Sequence, residues 1–145
     1  MNLILDEENE VTDMYFIQEG CVGIGYYLLS QGLSKQQYSL GIEVRNNSYI
    51  CDYYISHNKK SEFIYICIEN VEAIALSKTF LLDHLFQKYP KIGHKLKYTS
   101  ERRYTKNIRD KLMTLRQAHI VEVNKQSPYK QIKIQDKKKI VNESM

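Results

Sequence analysis

The chain reads as α+β and mainly β, with short antiparallel strands that build a sandwich or barrel, then a short helix and a long C-terminal helix. Three observations carry this. Short apolar runs alternate with turn residues as far as Ala75, the hydrophobic period switches after Leu76, and a lone proline, Pro90, separates two helical patterns.

The first strand expected is Met14 to Ile17, ended by Gln18-Glu19-Gly20, where Gly20 suits the positive φ of a hairpin turn. Cys21, Val22, Ile24 and Tyr26 supply the returning strand, with Gly23 and Gly25 marking a bulge or a close backbone approach. Ser30 to Tyr38 is polar and reads as a loop. Ser39 to Val44 resumes as a strand before a turn at Arg45-Asn46-Asn47-Ser48. Two more strands fit Glu62 to Ile68 and Glu72 to Leu76, parted by a turn at Glu69-Asn70.

Ser77 is the expected N-cap of a helix that buries Phe80, Leu81, Leu85 and Tyr89 and stops at Pro90. A second helix runs from near Pro90 to about Ala118, with Ile92, Leu96, Ile108, Leu112 and Leu115 on its apolar side. Its charged middle, Glu101-Arg102-Arg103, implies half burial. His119 to Val123 alternates like a weak strand, and Ser127-Pro128 opens a basic segment expected to be mobile. The domain division that follows is 1–118 for strands and helices and 119–145 for a basic tail.

Composition narrows the function classes. At 145 residues the chain suits one domain, and an aromatic share of 11%, from 12 tyrosines and 4 phenylalanines, argues for a packed core. Acidic residues lead (Asp6, Glu7, Glu8, Glu10, Asp13) and lysines close the chain, for a net charge of +4. Such runs are most simply solvated surface. Cys21, Cys51 and Cys67 have no CxxC spacing, so neither a disulfide framework nor a zinc site is indicated, and a reducing cytoplasm fits. His57, His84, His94 and His119 show no metal-ligand clustering. No apolar run approaches the roughly 20 residues that span a bilayer. No nucleophile with a base, carboxylate pair or phosphate-cradling glycine loop is present, so catalysis is set aside.

Met14 to Gly20, an acidic hairpin closed by a glycine, resembles the second and third strands of the cyclic nucleotide-binding domain family. Phe63 to Leu76 followed by Ser77 to Pro90 is similar to that family's last strands and its short helix ending in Tyr-Pro, and Asn58 to Phe63 resembles the ion-channel branch. The likeness covers about Thr12 to Lys111. It implies a β-roll whose phosphate cassette holds a cyclic nucleotide: a Phe-Gly-Glu opening for the ribose, then an arginine nine residues later for the cyclic phosphate.

On that template Ile50-Cys51-Asp52 occupies the opening, so Asp52 serves either the ribose hydroxyl or as a cap of the following turn. Cys51 puts a side chain where glycine permits close approach, and reads as a small core residue rather than a redox sensor. Ile55 keeps the apolar position. Ser61 stands where the arginine belongs, with Glu62 beside it, and Lys59 and Lys60 are the cations available to compensate. Losing the two charge-assisted bonds of an arginine weakens binding on the order of 100-fold or more, and a lysine lacks the planar fork.

The resemblance therefore implies a non-catalytic domain with a degenerate site, without cAMP, cGMP or another cofactor, acting as a regulatory or structural module among other protein subunits. The alternative is a genuine cAMP- or cGMP-sensing domain of a cation channel or a kinase regulatory subunit. Partners are expected at the cytoplasmic face of a membrane channel or in a cytoskeletal or ciliary array. Nucleic acid is not expected, because Asn124 to Met145 is too short and polar for an appended helix-turn-helix. The family's opening helix and first strand have only Met1 to Val11 to draw on, so both are expected to be missing. In some channel relatives residues after the last helix fill the pocket, a role open here to His119 to Val123 or Tyr129.

Overall fold

A computed structural model describes residues 2–28 and 36–126. Strands β1 (Leu3–Leu5), β2 (Asp13–Tyr27), β3 (Tyr38–Val44) and β4 (Ser48–Ile50) precede a short helix α1 (Asp52–His57) and a last strand β5 (Ile64–Ser77). All pairings are antiparallel, in the order β1-β5-β2-β3 with β4 also on β2. This is the α+β β-roll architecture expected.

Two expected turns do not exist. Met14 to Ile17 and Cys21 to Tyr26 are halves of one 15-residue strand, β2, and the expected break at Glu69-Asn70 lies inside the 14-residue β5. The two segments face each other across the β2–β5 ladder, where the register shifts between Ile17 and Glu19 and again between Glu19 and Cys21. Gly20 does take a positive φ, 106°, but to admit β5: a Cβ there would sit 2.2 Å from the Asn70 carbonyl oxygen. Turn-forming residues here serve irregularities in a ladder that continues on both sides.

Residues 1–11 were expected to contribute no strand, yet Leu3–Leu5 pairs with β5 at Ile66 and Tyr65. Ser48, expected in a turn, opens β4, while the turn itself survives at Asn46-Asn47 with Asn47 at φ 65°. Of the expected loop Ser30 to Tyr38, Tyr38 begins β3 and residues 30–35 lie outside the described part.

Ser77 caps the next helix as expected, its Oγ accepting from the Phe80 N–H at 3.1 Å. Helix α2 (Lys78–Phe80) continues through a π-helical turn, Leu81–Leu85, into α3 (Phe86–Lys88). Leu81 is buried; Phe80 and Tyr89 are exposed, contrary to expectation, because Leu81, Leu85 and Phe86 form the side of this stretch that faces the core. Pro90 opens α4 (Pro90–Arg103), which passes through a second π segment, Tyr104–Arg109, into α5 (Asp110–Gln126). A proline at the first helical position has no N–H to satisfy, which suits it to start this helix.

The long helix runs past the expected end at Ala118, so His119 to Val123 is helical and not a strand. No glycine or proline interrupts the chain between Ala118 and Gln126, and the His119 ring is tied to the Tyr26 hydroxyl. The apolar stripe is narrower than read: Leu112 is fully buried, whereas Ile92 and Leu115 are exposed. The core lies between β2, β5 and α1, with Ile17, Val22, Ile24, Tyr54, Phe63 and Tyr65 at its centre. The segment from Ser127 onward, Tyr129 included, lies outside the described residues.

Candidate functional site

The cassette forms where β4 hands over to α1. Cys51 turns the chain at φ 70°, ψ 7°, a left-handed conformation that glycine adopts without cost and cysteine does not. Its thiol is buried, and that burial pushes its pKa up, leaving little thiolate. Ile50 and Ile55, on either side, are buried in the core.

Asp52 is buried at the first turn of α1 and is claimed from outside the cassette. The Arg103 guanidinium, from the end of α4, donates to Asp52 Oδ1 at 2.6 Å and to the Tyr49 carbonyl oxygen at 3.0 Å. It also stacks over the Tyr49 ring, 4.2 Å from its centroid. Burial raises the Asp52 pKa, and Arg103 opposes that shift without cancelling it.

Ser61, expected at the arginine position of the family the chain resembles, is 1% exposed and fully engaged with backbone. Its Oγ donates to the Phe63 carbonyl oxygen at 2.6 Å, its N–H donates to the Asn9 carbonyl at 3.0 Å, and its own carbonyl accepts from Glu8 N–H at 2.8 Å. Residue 61 thus stitches the N-terminal segment to the start of β5. Lys59 and Lys60, the candidate substitutes, are exposed and line an outer groove of ≈ 360 Å³ with Glu10, Asn58 and Lys78.

Glu62 turns toward the last helix. Its Oε1 accepts from Arg109 Nη2 at 2.7 Å, Arg109 Nε at 3.1 Å and the Tyr104 hydroxyl at 3.0 Å. The same Arg109 donates to the Tyr53 hydroxyl at 3.0 Å. Burial works to lower the Arg109 pKa, and Glu62 with the Tyr53 oxygen outweighs it, so the guanidinium is held firmly charged.

Tyrosines complete the closure. Tyr104 stacks on Tyr53 with centroids 4.1 Å apart and planes 4° from parallel. Its hydroxyl pairs with Tyr54 at 2.9 Å, and Tyr54 also accepts from Tyr65 at 3.0 Å. Burial raises the pKa of Tyr54, Tyr65 and Tyr104 above the ordinary phenol value, keeping all three neutral. A Ser56–Ser100 hydroxyl pair at 2.9 Å fastens α1 to α4 alongside.

The structure therefore brings together Ile50, Cys51, Asp52, Ile55, Ser61 and Glu62, and sends Lys59 and Lys60 outward. What the sequence reading missed is the contribution of the last helix: Arg103, Tyr104 and Arg109, with Tyr53 and Tyr54 as their counterparts. The signal was present in the Tyr53-Tyr54 pair and in arginines spaced along one helix. His119, a candidate to fill the pocket, packs on Tyr26 instead, beside Arg116. Among the described residues no cluster of His, Cys, Asp or Glu is arranged to hold a metal ion.

No protein-family model matches the chain. No curated protein sequence matches it either. Solved structures do share its fold. The catabolite activator protein of Thermus thermophilus superposes with a TM-score of 0.56 at 16% identity, covering 72% of this chain and 46% of that one. The cAMP-bound regulatory domain of Toxoplasma gondii protein kinase A gives 0.53 at 12% identity, covering 71% and 36%. The sensor domain of the Pseudomonas aeruginosa transcriptional regulator DNR gives 0.53 at 14%, covering 72% and 67%. The chain spans less than half the length of the first two.

Proposed function

We propose that this chain is a non-catalytic module that keeps the cyclic nucleotide-binding fold without its ligand and serves as a regulatory or structural contact domain among other protein subunits. The observation that carries this reading is the engagement of the cassette by the chain's own last helix. Each arginine that reaches it is already matched by a carboxylate, Arg103 by Asp52 and Arg109 by Glu62. The residue at the phosphate-binding position, Ser61, spends its hydroxyl on a backbone carbonyl. A cyclic phosphate entering here would meet Glu62 and a stacked tyrosine pair instead of an available cation, and would have to break charge-assisted bonds to obtain one. The fold shared with the catabolite activator protein and a kinase regulatory domain supports a regulatory reading.

Calorimetric titration of the purified chain with cAMP and with cGMP tests this. No saturable binding is expected up to about 1 mM, whereas a dissociation constant in the low micromolar range would overturn the proposal in favour of a true sensor.

A further inference from the structure

The outer face of α4 carries a line of cations that the cassette does not use. Lys91, Lys95, Tyr98 and Arg102 recur at i, i+4, i+7 and i+11, so they share one side of the helix over about 17 Å. That side points away from the protein. The opposite side holds buried Ser100, Arg103 on Asp52, and Gly93 against the Phe86 ring, while all four stripe residues are exposed. Tyr98 is 62% exposed, the largest value among the exposed large hydrophobics described, and the Arg102 guanidinium lies 6.0 Å from its ring centroid.

The stripe is one-signed. Helix α4 has five Lys and Arg residues and one acid, Glu101. Among the described residues no ion pair involves Lys91, Lys95 or Arg102. Exposed Ile92 lies on the same helix, and exposed Tyr89 and Phe80 lead into it. The sequence after the helix adds Lys130, Lys133, Lys137, Lys138 and Lys139.

We propose that the outer face of α4 docks on an anionic lipid bilayer, with Lys91, Lys95 and Arg102 on headgroup phosphates and Tyr98 at the interface. Charge complementarity requires an anionic partner. Tyr98 within the stripe and exposed Ile92 on the same helix favour a bilayer among anions, because its interfacial zone takes an aromatic ring and an aliphatic side chain together with the cations. A second copy of this chain is disfavoured, since a two-fold contact through the stripe would set cations against cations. The helix lies on the membrane and does not cross it, for no described helix is long and apolar enough to span one.

Sedimentation of the full chain with vesicles tests the proposal, using phosphatidylcholine alone and about three parts phosphatidylcholine to one part phosphatidylserine. The chain is expected to pellet with the mixed vesicles only, and less so as salt is raised. Combined Lys91→Glu, Lys95→Glu and Arg102→Glu substitution lowers that binding on the order of 100-fold, and Tyr98→Ser, which leaves every charge in place, lowers it roughly fivefold. No pelleting with the mixed vesicles, equal pelleting with both kinds, or wild-type binding by the charge-reversed chain with an unchanged circular dichroism spectrum each overturns it. Binding to a single-stranded RNA homopolymer without vesicle binding overturns it equally.

Discussion

Tyr104 lies flat on Tyr53, 4.1 Å between ring centroids, although 51 residues of chain separate them. This contact, between the second turn segment of the long helix and the short helix of the cassette, places an aromatic ring against the cassette. Removing it should therefore cost more than an average core truncation.

Tyr104→Ala is expected to destabilise the chain by about 3–5 kcal/mol. Tyr104→Phe keeps the stack and loses only the hydroxyl shared with Tyr54 and Glu62, at about 1 kcal/mol. Urea unfolding followed by circular dichroism separates the two. Equal losses in both variants would mean that the hydroxyl, not the stack, holds the helix down.

Arg103→Ala leaves Asp52 buried without its partner and should cost about 3 kcal/mol at neutral pH, against less than about 0.5 kcal/mol for Arg102→Ala on the exposed side. The deficit has a pH signature. Burial raises the folded-state pKa of Asp52, so its protonated form is the one folding favours: that contribution is fully present below the unfolded carboxyl pKa and is lost as pH rises through the folded value. The gap between Arg103→Ala and wild type should accordingly narrow on acidification from neutral pH. A gap that stays constant would show that Arg103 acts through packing on Tyr49.

Gly20→Ala should destabilise by about 3 kcal/mol or more, because the added Cβ meets backbone at 2.2 Å and φ is 106°. Gly93→Ala is the control. Its Cβ meets the Phe86 ring at 3.1 Å within a helix, and the gain in helix propensity offsets that contact to within about 0.5 kcal/mol. Midpoints of thermal unfolding decide; a tolerated alanine at 20 would mean that the two strands part more easily than their register implies.

Alkaline pH should unfold the chain through its tyrosines. Tyr15, Tyr26, Tyr54, Tyr65 and Tyr104 are all raised chiefly by burial, and Tyr27 is pushed up to about 12 by its bond to Asp6. Raised folded-state values mean that stability is intact below the unfolded phenol pKa near 10 and falls as pH climbs above it. Absorbance of tyrosinate and loss of secondary structure should rise together above pH of about 10. Tyrosine ionisation well before unfolding would contradict the buried network.

The order of strands then helices was legible because strand and helix periods differ, and because Ser77 and Pro90 punctuate the helices at their starts; the β-roll itself was implied by the resemblance. The long strands were not, since Gln18-Glu19-Gly20 and Glu69-Asn70 carry the residue types of turns. Nothing local reveals that they lie opposite each other and bend one ladder together. At the site, the linear reading of 50–62 named Cys51 and Ser61 as departures from the pattern the segment resembles, and could not find what engages that segment. Arg103, Tyr104 and Arg109 arrive from more than 40 residues away, and Asp52, open to two roles in sequence, takes a third as the partner of Arg103. Tertiary pairing decides such cases, and a charged helix shows its partners only once it is docked.

The β2–β5 ladder also sets a schedule for synthesis. Asp13 pairs with Ser77 and Gly25 with Ile64, so the side of β2 that β5 covers stays open until some 39 to 64 more residues have been added, although β3 and β4 can pair with the strand sooner. At roughly 5–20 residues per second the start of β2 waits roughly 3 to 13 s for its counterpart. During that interval apolar Ile17, Val22 and Ile24 lack their β5 neighbours, and so the nascent chain carries an open strand edge that a chaperone would have to shield.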